Sequence, residues 1–336
     1  MNTSIPLATL LSTLLGFIST LSGAADSVTS AKHLRAYFIG NSVTDTLNYG
    51  AFANAVQGTG DGLAWGRQMI PGCPLFGLWR AAERKPDDCD FTERHFGGSI
   101  QALRDFPWDA VTLQPFDRLL ANPDPRNNDD QGDVLYAQKY LDLVWQRSPE
   151  AQVYIYARWP RMLIKGKGVD FDKDAYDKPA TGKTADWSQV DPFDQRWLAK
   201  YTGGWDTSNE TADYFETLTR ILRRVNPSVR RPVLMIPVGH VMLELDKRMR
   251  AGELPGYKGI YGVYKDAIHL TNVGGYIVGC TFYATIYQKD PKDFPAEPYG
   301  VTDAKLISAV GEAAWKVVSA HPLAGIARQE PIPQEK

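Results

Sequence analysis

From residue 34 onward, short apolar runs alternate with segments of helical period. Residues 34–40, 63–72, 109–114, 151–159 and 231–239 are apolar and bounded by glycine, proline or polar clusters, which predicts strands. Residues 45–57, 99–106, 133–148 and 209–225 predict helices, as do a segment from the fifth strand to about Arg250 and residues 269–287 and 303–319. Residues 160–208 are polar, rich in Lys, Asp and Gly, and carry no clear period. They predict a long insertion, ordered in part by Trp187, Trp197 and Trp205. Strand–helix alternation predicts an α/β fold, a mainly parallel sheet with helices on both faces. Sites in such sheets form at the carboxyl ends of the strands. The loops after Gly40, Gly72, Gln114, Trp159 and Gly239 are therefore expected along one edge.

The chain has 336 residues, 43% of them hydrophobic, enough for one large α/β domain or two small ones. A net charge of −2 and the lack of a basic stripe argue against nucleic acid or an anionic membrane as the main partner. Nine tryptophans and sixteen tyrosines serve a core first and a sugar-binding surface second. Residues 6–21 are apolar apart from Ser and Thr, and Ser22 and Ala24 are placed for cleavage before Ala25. This predicts a signal peptide over residues 1–24 and export to the periplasm or beyond, although no Lys or Arg precedes Lys32. The run is short for a membrane span, so the mature chain is expected to have none. Export permits a disulfide, for which Cys73 and Cys89 are the candidate pair. Cys280 sits in an apolar helical run and reads as a buried small hydrophobe. No zinc-ligand spacing and no phosphate-loop Gly-Lys-Ser/Thr is present, and neither a cofactor nor a metal is expected.

Two short blocks carry candidate chemistry. In "YFIGNSVTD" the first strand ends on Gly40-Asn41-Ser42 and turns towards a helix. Such a turn can expose the Ser42 hydroxyl where local amides favour negative charge; the alternative is that Ser42 or Thr44 caps the helix. In "YKDAIHLTN" Asp266 and His269 are three apart, just before a helix. A carboxylate at that spacing can bond one imidazole nitrogen while the other faces a nucleophile. Taken together, the blocks supply a nucleophile, a base and a group that orients the base.

These blocks resemble those of the SGNH (GDSL-type) hydrolases. "FIGNSVTD" is similar to their first block, with Asn41 where many members carry Asp, and "DAIHLT" to their last. The Gly-Asn-Ser variant resembles a bacterial branch of the superfamily. The resemblance spans roughly residues 34–290 and implies one domain over 32–325 with a three-layer α/β/α fold. It implies ester hydrolysis through an acyl-serine, without metal, with Ser42, Asp266 and His269 as catalytic residues. It also implies an oxyanion hole from the amides of Ser42 and Gly72, the latter in "IPGCPLFGLW". The family's third donor is an asparagine; here the strand ends "VTLQPFDR", so Gln114 is the candidate, its rival role being a hydrogen bond beneath the site. Asn41, Arg158, Trp159 and His240 are candidate substrate contacts, His240 having as alternatives a second base or a packed loop histidine. The expected substrate is a small-molecule or carbohydrate O-acyl ester, acetyl esters of carbohydrate foremost. An O-acyltransferase with the same triad and a non-catalytic carbohydrate-binding protein are the competing readings.

Overall fold

The fully apolar runs form the middle of a sheet. In the computed structural model, which describes residues 1, 30–84, 96–116, 120, 132–166, 181–183, 186–203 and 210–327, five strands pair in parallel throughout in the order β2-β1-β3-β4-β5. They are β1 (His33–Gly40), β2 (Gly62–Met69), β3 (Ala110–Leu113), β4 (Gln152–Tyr156) and β5 (Leu234–Ile236). Every residue of β3 and β4 is buried, the mark of strands covered on both faces. The edge strand β2 is buried only towards its end.

Helices cover both faces, giving a three-layer α/β/α fold. One group, α2 (Leu75–Arg84), α3 (Ser99–Asp105), α4 (Gly132–Arg147) and α6 (Ala212–Val225), packs together. A second group is α7 (Val238–Arg250), α8 (Asn272–Tyr287) and α9 (Ala304–Ala320). Helix α1 (Tyr49–Gly58) lies against β2, and the short α5 (Phe193–Trp197) against α7. Helix α8 is buried on all sides from Gly274 to Tyr287, so it is a core element without a solvent face. Its Phe282 meets Phe38, Phe52 and Tyr156 with ring centroids 6.2, 6.2 and 4.8 Å away. Burying a phenylalanine of this kind stabilises the fold by roughly 1.5–3 kcal/mol. Residues from Ala31 onward cluster as one unit. The signal-peptide expectation, Cys89, Trp205 and much of 160–208 fall outside the described residues.

Several elements differ from expectation. The segment 45–57 is split: a single 3-10 turn (Thr44–Leu47) precedes α1, because Asn48 at φ 50° breaks the helix and caps the next one through Ala51 N–H. Strand β4 stops at Tyr156, where the chain turns and Arg158 N–H bonds the Tyr156 carbonyl. Strand β5 is cut at Ile236, since α7 starts directly after Pro237. Helix α2 has no counterpart among the expected elements; its buried residues Leu75, Phe76, Leu78 and Ala82 lie on one side. Within the described part of the insertion, Trp197 is fully buried and packs on Phe215 at 6.0 Å, and Trp187 meets Tyr261 at 6.3 Å.

Gly40 is a position where only glycine fits. A Cβ there would stand 1.9 Å from Thr44 Oγ1 and 2.9 Å from Gln114 Cβ. Gly40→Ala is expected to lower the free energy of unfolding by about 1–3 kcal/mol through overpacking, measured by urea denaturation. An unchanged midpoint would show that the turn relaxes freely.

Candidate active site

The strand order places β2 and β3 on opposite sides of β1, so the chain's direction of travel switches beside β1. The crevice at the carboxyl ends of β1 and β3 is where ligands of such sheets bind. Ser42 follows β1 at this point, and Gln114 directly follows the neighbouring β3.

The turn is held from below. Gln114 N–H donates to the Ile39 carbonyl at 2.8 Å, as the last rung of the ladder. One residue on, Gln114 Oε1 accepts from Asn41 N–H at 3.1 Å, so a side chain replaces the next backbone carbonyl. The same oxygen accepts from Thr44 Oγ1 at 3.1 Å. Asn41 Oδ1 accepts from Val43 N–H at 3.0 Å, and Thr44 N–H bonds the Asn41 carbonyl at 2.9 Å. Asn41 Nδ2 reaches across to the Cys73 carbonyl at 3.3 Å and ties the loop after β2 to this turn. Ser42 caps no helix: the 3-10 turn has no side-chain cap, and α1 is capped by Asn48.

Ser42, Asp266 and His269 meet. His269 Nε2 lies 2.9 Å from Ser42 Oγ, and His269 Nδ1 lies 2.9 Å from Asp266 Oδ2. Asp266 Oδ1 accepts from the amides of Ile268 at 2.9 Å and His269 at 2.7 Å. Burial alone would raise the Asp266 carboxyl; those two amides and the His269 ring outweigh it and hold it below the usual carboxylate range. An ionised Asp266 fixes the ring proton on Nδ1 and leaves the Nε2 lone pair facing the Ser42 hydroxyl. A cavity of about 390 Å³ opens beside Ser42 and His269, walled by Asp45, Arg67, Trp65 and Asn272. Arg67 Nη1 bonds both Asp45 oxygens, at 3.0 and 3.2 Å, and the Trp65 ring stacks on Tyr49 at 4.9 Å.

Gly72 adopts φ 65°, a left-handed turn conformation that favours glycine. Among the described residues neither the Ser42 amide nor the Gly72 amide has a hydrogen-bond partner. Gln114 is fully buried, and its Nε2 donates to the Pro115 carbonyl at 2.6 Å, the geometry of a hydrogen bond beneath the site. The Asn41 and Thr44 donors and the Pro115 acceptor fix which end of the carboxamide is oxygen.

None of the four expected substrate contacts, Asn41, Arg158, Trp159 and His240, lines the cavity beside Ser42. Asn41 is fully buried and bonded within the turn. Arg158 is fully buried against Glu210 at 3.1 Å. Burial would raise the Glu210 carboxyl, but Arg158, Arg161 and Arg196 hold it well below the usual carboxylate range. Trp159, also fully buried, donates its indole N–H to the Ile268 carbonyl at 2.7 Å. His240 faces Glu216 at 3.2 Å and the ring of His321 at 4.7 Å, away from the cavity lining. Position at a strand end fixed the height of these residues but not their direction. His321, for which the sequence suggests no partner, lies 3.5 Å from Glu216. The Cys73–Cys89 pairing rests on a residue outside the described set. Cys280 is buried in α8, which pushes its thiol up to about 12.

Among the described residues, one group has metal-ligand spacing: Glu216, His240 and His321, with ligand atoms within 4.8 Å of one another. Its polarity does not fit a metal. Leu323 N–H donates to His321 Nδ1 at 3.2 Å, which leaves the ring proton on Nε2, turned to Glu216 Oε1. A metal-ligating imidazole usually donates from its other nitrogen. Arg220 also occupies Glu216 Oε2 at 3.0 Å.

No family model matches the chain, and no curated protein matches it. Among solved structures it is similar to a DUF4886 family protein from Bacteroides uniformis, with a TM-score of 0.53 and 14% identity over 86% of this chain and 95% of that one. That likeness bears on the fold alone. A GDSL-like lipase from Parabacteroides merdae aligns at a TM-score of 0.40 and 10% identity, covering 77% of this chain and 98% of that one. The periplasmic domain of a Salmonella Paratyphi A lipopolysaccharide acetyltransferase aligns at 0.36 and 12%, covering 76% and 84%.

The lowered Asp266 pKa has a definite sign in stability. The contribution is complete above the ordinary value of 3.8 and is lost as pH falls through the lower folded value. Asp266→Asn should therefore reduce the fall in stability between neutral pH and about pH 3, measured by denaturation at several pH values. An identical pH slope in both proteins would contradict the assignment.

Proposed function

We propose that the chain is an SGNH-like serine esterase. The observation that carries this reading is the relay Ser42 Oγ–His269 Nε2 and His269 Nδ1–Asp266 Oδ2, each link 2.9 Å long. His269 removes the hydroxyl proton as Ser42 Oγ attacks the ester carbonyl. The tetrahedral oxyanion is received by the amides of Ser42 and Gly72, which have no other partner among the described residues. The imidazolium, stabilised by Asp266, then protonates the departing alcohol and leaves an acyl-Ser42. Water enters, gives its proton to His269, and attacks the acyl carbon; collapse releases the acid and restores the Ser42 hydroxyl. Gln114 takes no chemical part and acts by holding the turn.

The cavity wall supports a polar leaving group. The Asp45–Arg67 pair offers fixed acceptors and donors, Trp65 offers an aromatic surface, and Asn272 is exposed at the rim. That set suits the hydroxyls and apolar ring face of an acylated sugar better than a long acyl chain. Short O-acyl esters of carbohydrate, acetyl esters foremost, are the substrate class we propose. Export guided by the first 24 residues belongs to the same reading.

The test is acid release from acetylated oligosaccharides and from 4-nitrophenyl esters of rising chain length. Acetyl esters should be cleaved and palmitoyl esters should not, with Ser42→Ala lowering kcat at least about 1,000-fold. Equal rates in wild type and Ser42→Ala would refute the nucleophile. Preference for long chains would refute the substrate class. Transfer of acetyl to an added sugar in place of hydrolysis would reassign the second step to an acceptor hydroxyl.

A further inference from the structure

The catalytic reading requires the His269 ring to stand in one place, yet its segment is a loop between Tyr264 and α8. Three hydrogen bonds grip that loop from the segment after β4. Trp159 Nε1–H donates to the Ile268 carbonyl at 2.7 Å. Met162 N–H donates to the Ala267 carbonyl at 2.8 Å. Tyr264 O–H donates to the Pro160 carbonyl at 2.9 Å. Ala267 and Ile268 are the two residues between Asp266 and His269, and their carbonyls are thus held from outside the loop. Inside it, Asp266 Oδ1 takes the amides of Ile268 and His269.

The gripping segment is itself fixed. Trp159 is fully buried beside Tyr156, ring centroids 6.4 Å apart. Glu210, just ahead of α6, accepts from Arg161 N–H at 2.8 Å, from Arg158 Nη2 at 3.1 Å and from Arg196 Nη2 at 2.7 Å. A buried, multiply bonded carboxylate makes the 158–162 backbone a poor hinge. Groups held this way keep a base within the tolerance that catalysis needs.

We propose that Trp159 is a positioning residue: its indole N–H, acting on the Ile268 carbonyl, sets the His269 ring between Asp266 and Ser42. The inference rests on the esterase reading. It accounts for a buried tryptophan in the segment after β4, outside the cavity lining. Without the indole N–H the Ile268 carbonyl loses its partner in a buried place, and the loop shifts to find another. A shift of about 1 Å at the base costs up to roughly 100-fold in rate while leaving substrate binding largely intact.

The experiment compares wild type, Trp159→Phe and Tyr264→Phe in steady-state cleavage of 4-nitrophenyl acetate across pH. Trp159→Phe removes the donor and keeps an aromatic ring. It should lower kcat about 10- to 100-fold with KM changed less than about 2-fold. The acid limb of its kcat/KM profile should move to lower pH, because a looser Asp266 stabilises the imidazolium less; Asp45, Arg67 and Lys265, the other charged groups lining this cavity, are unchanged in the variant. Tyr264→Phe, which loosens the same brace further from the ring, should give a smaller loss in the same direction. Far-UV circular dichroism and the denaturation midpoint report folding separately. An active wild type with Trp159→Phe of equal kcat and unmoved acid limb overturns the positioning role alone. An equal loss in kcat and rise in KM without a pH shift also overturns it, as a general packing effect. A wild type inactive on every ester overturns the esterase reading beneath it.

Discussion

The buried carboxamide of Gln114 is the contact on which the site depends. Strand β1 must leave the ladder after Gly40 for Ser42 to face the crevice, and leaving strands a backbone donor with no carbonyl opposite. Gln114 Oε1 supplies that carbonyl to Asn41 N–H and takes the Thr44 hydroxyl as well, both at 3.1 Å. The arrangement closes only because position 40 has no Cβ. An unpaired buried amide costs about 1–3 kcal/mol, so the turn and the end of β3 specify one another.

The other half of the site is suspended between two rigid bodies. On one side α8, buried all round, begins three residues after His269 and fixes where the loop ends. On the other, the segment 158–162 holds the loop's carbonyls, and Glu210 with its arginines holds that segment. A buried ion cluster is weak support for stability by itself. Here it sets the conformation of the chain that touches the histidine loop. The serine turn and the histidine loop belong to separate hydrogen-bond systems, and they meet at the 2.9 Å contact between Ser42 Oγ and His269 Nε2.

Sequence reading located Ser42, Asp266 and His269 because each belongs to a short local pattern: a strand that breaks on Gly-Asn-Ser, and an Asp three residues before a His at a helix start. The parallel sheet was legible for a similar reason, since strands covered on both faces read as continuous apolar runs. Direction was not legible. Arg158, Trp159 and His240 end strands or begin helices at the site's edge, but their partners Glu210, Ile268 and Glu216 lie far away in the chain. For Gln114 the sequence leaves two roles open, and the structure buries its carboxamide beneath the turn. Helix α2 is hidden in the sequence because its apolar residues directly follow the turn signal Pro71-Gly72. An arginine ending a buried strand is itself a signal that a carboxylate must be found for it.

The central claim is that Ser42 is activated by His269. Mass spectrometry of the purified protein after exposure to a fluorophosphonate tests it without knowledge of the natural ester. The account predicts one covalent adduct, mapped to Ser42, and its loss in His269→Ala. Folded protein that forms no adduct at Ser42, or forms it equally well in His269→Ala, would contradict the account.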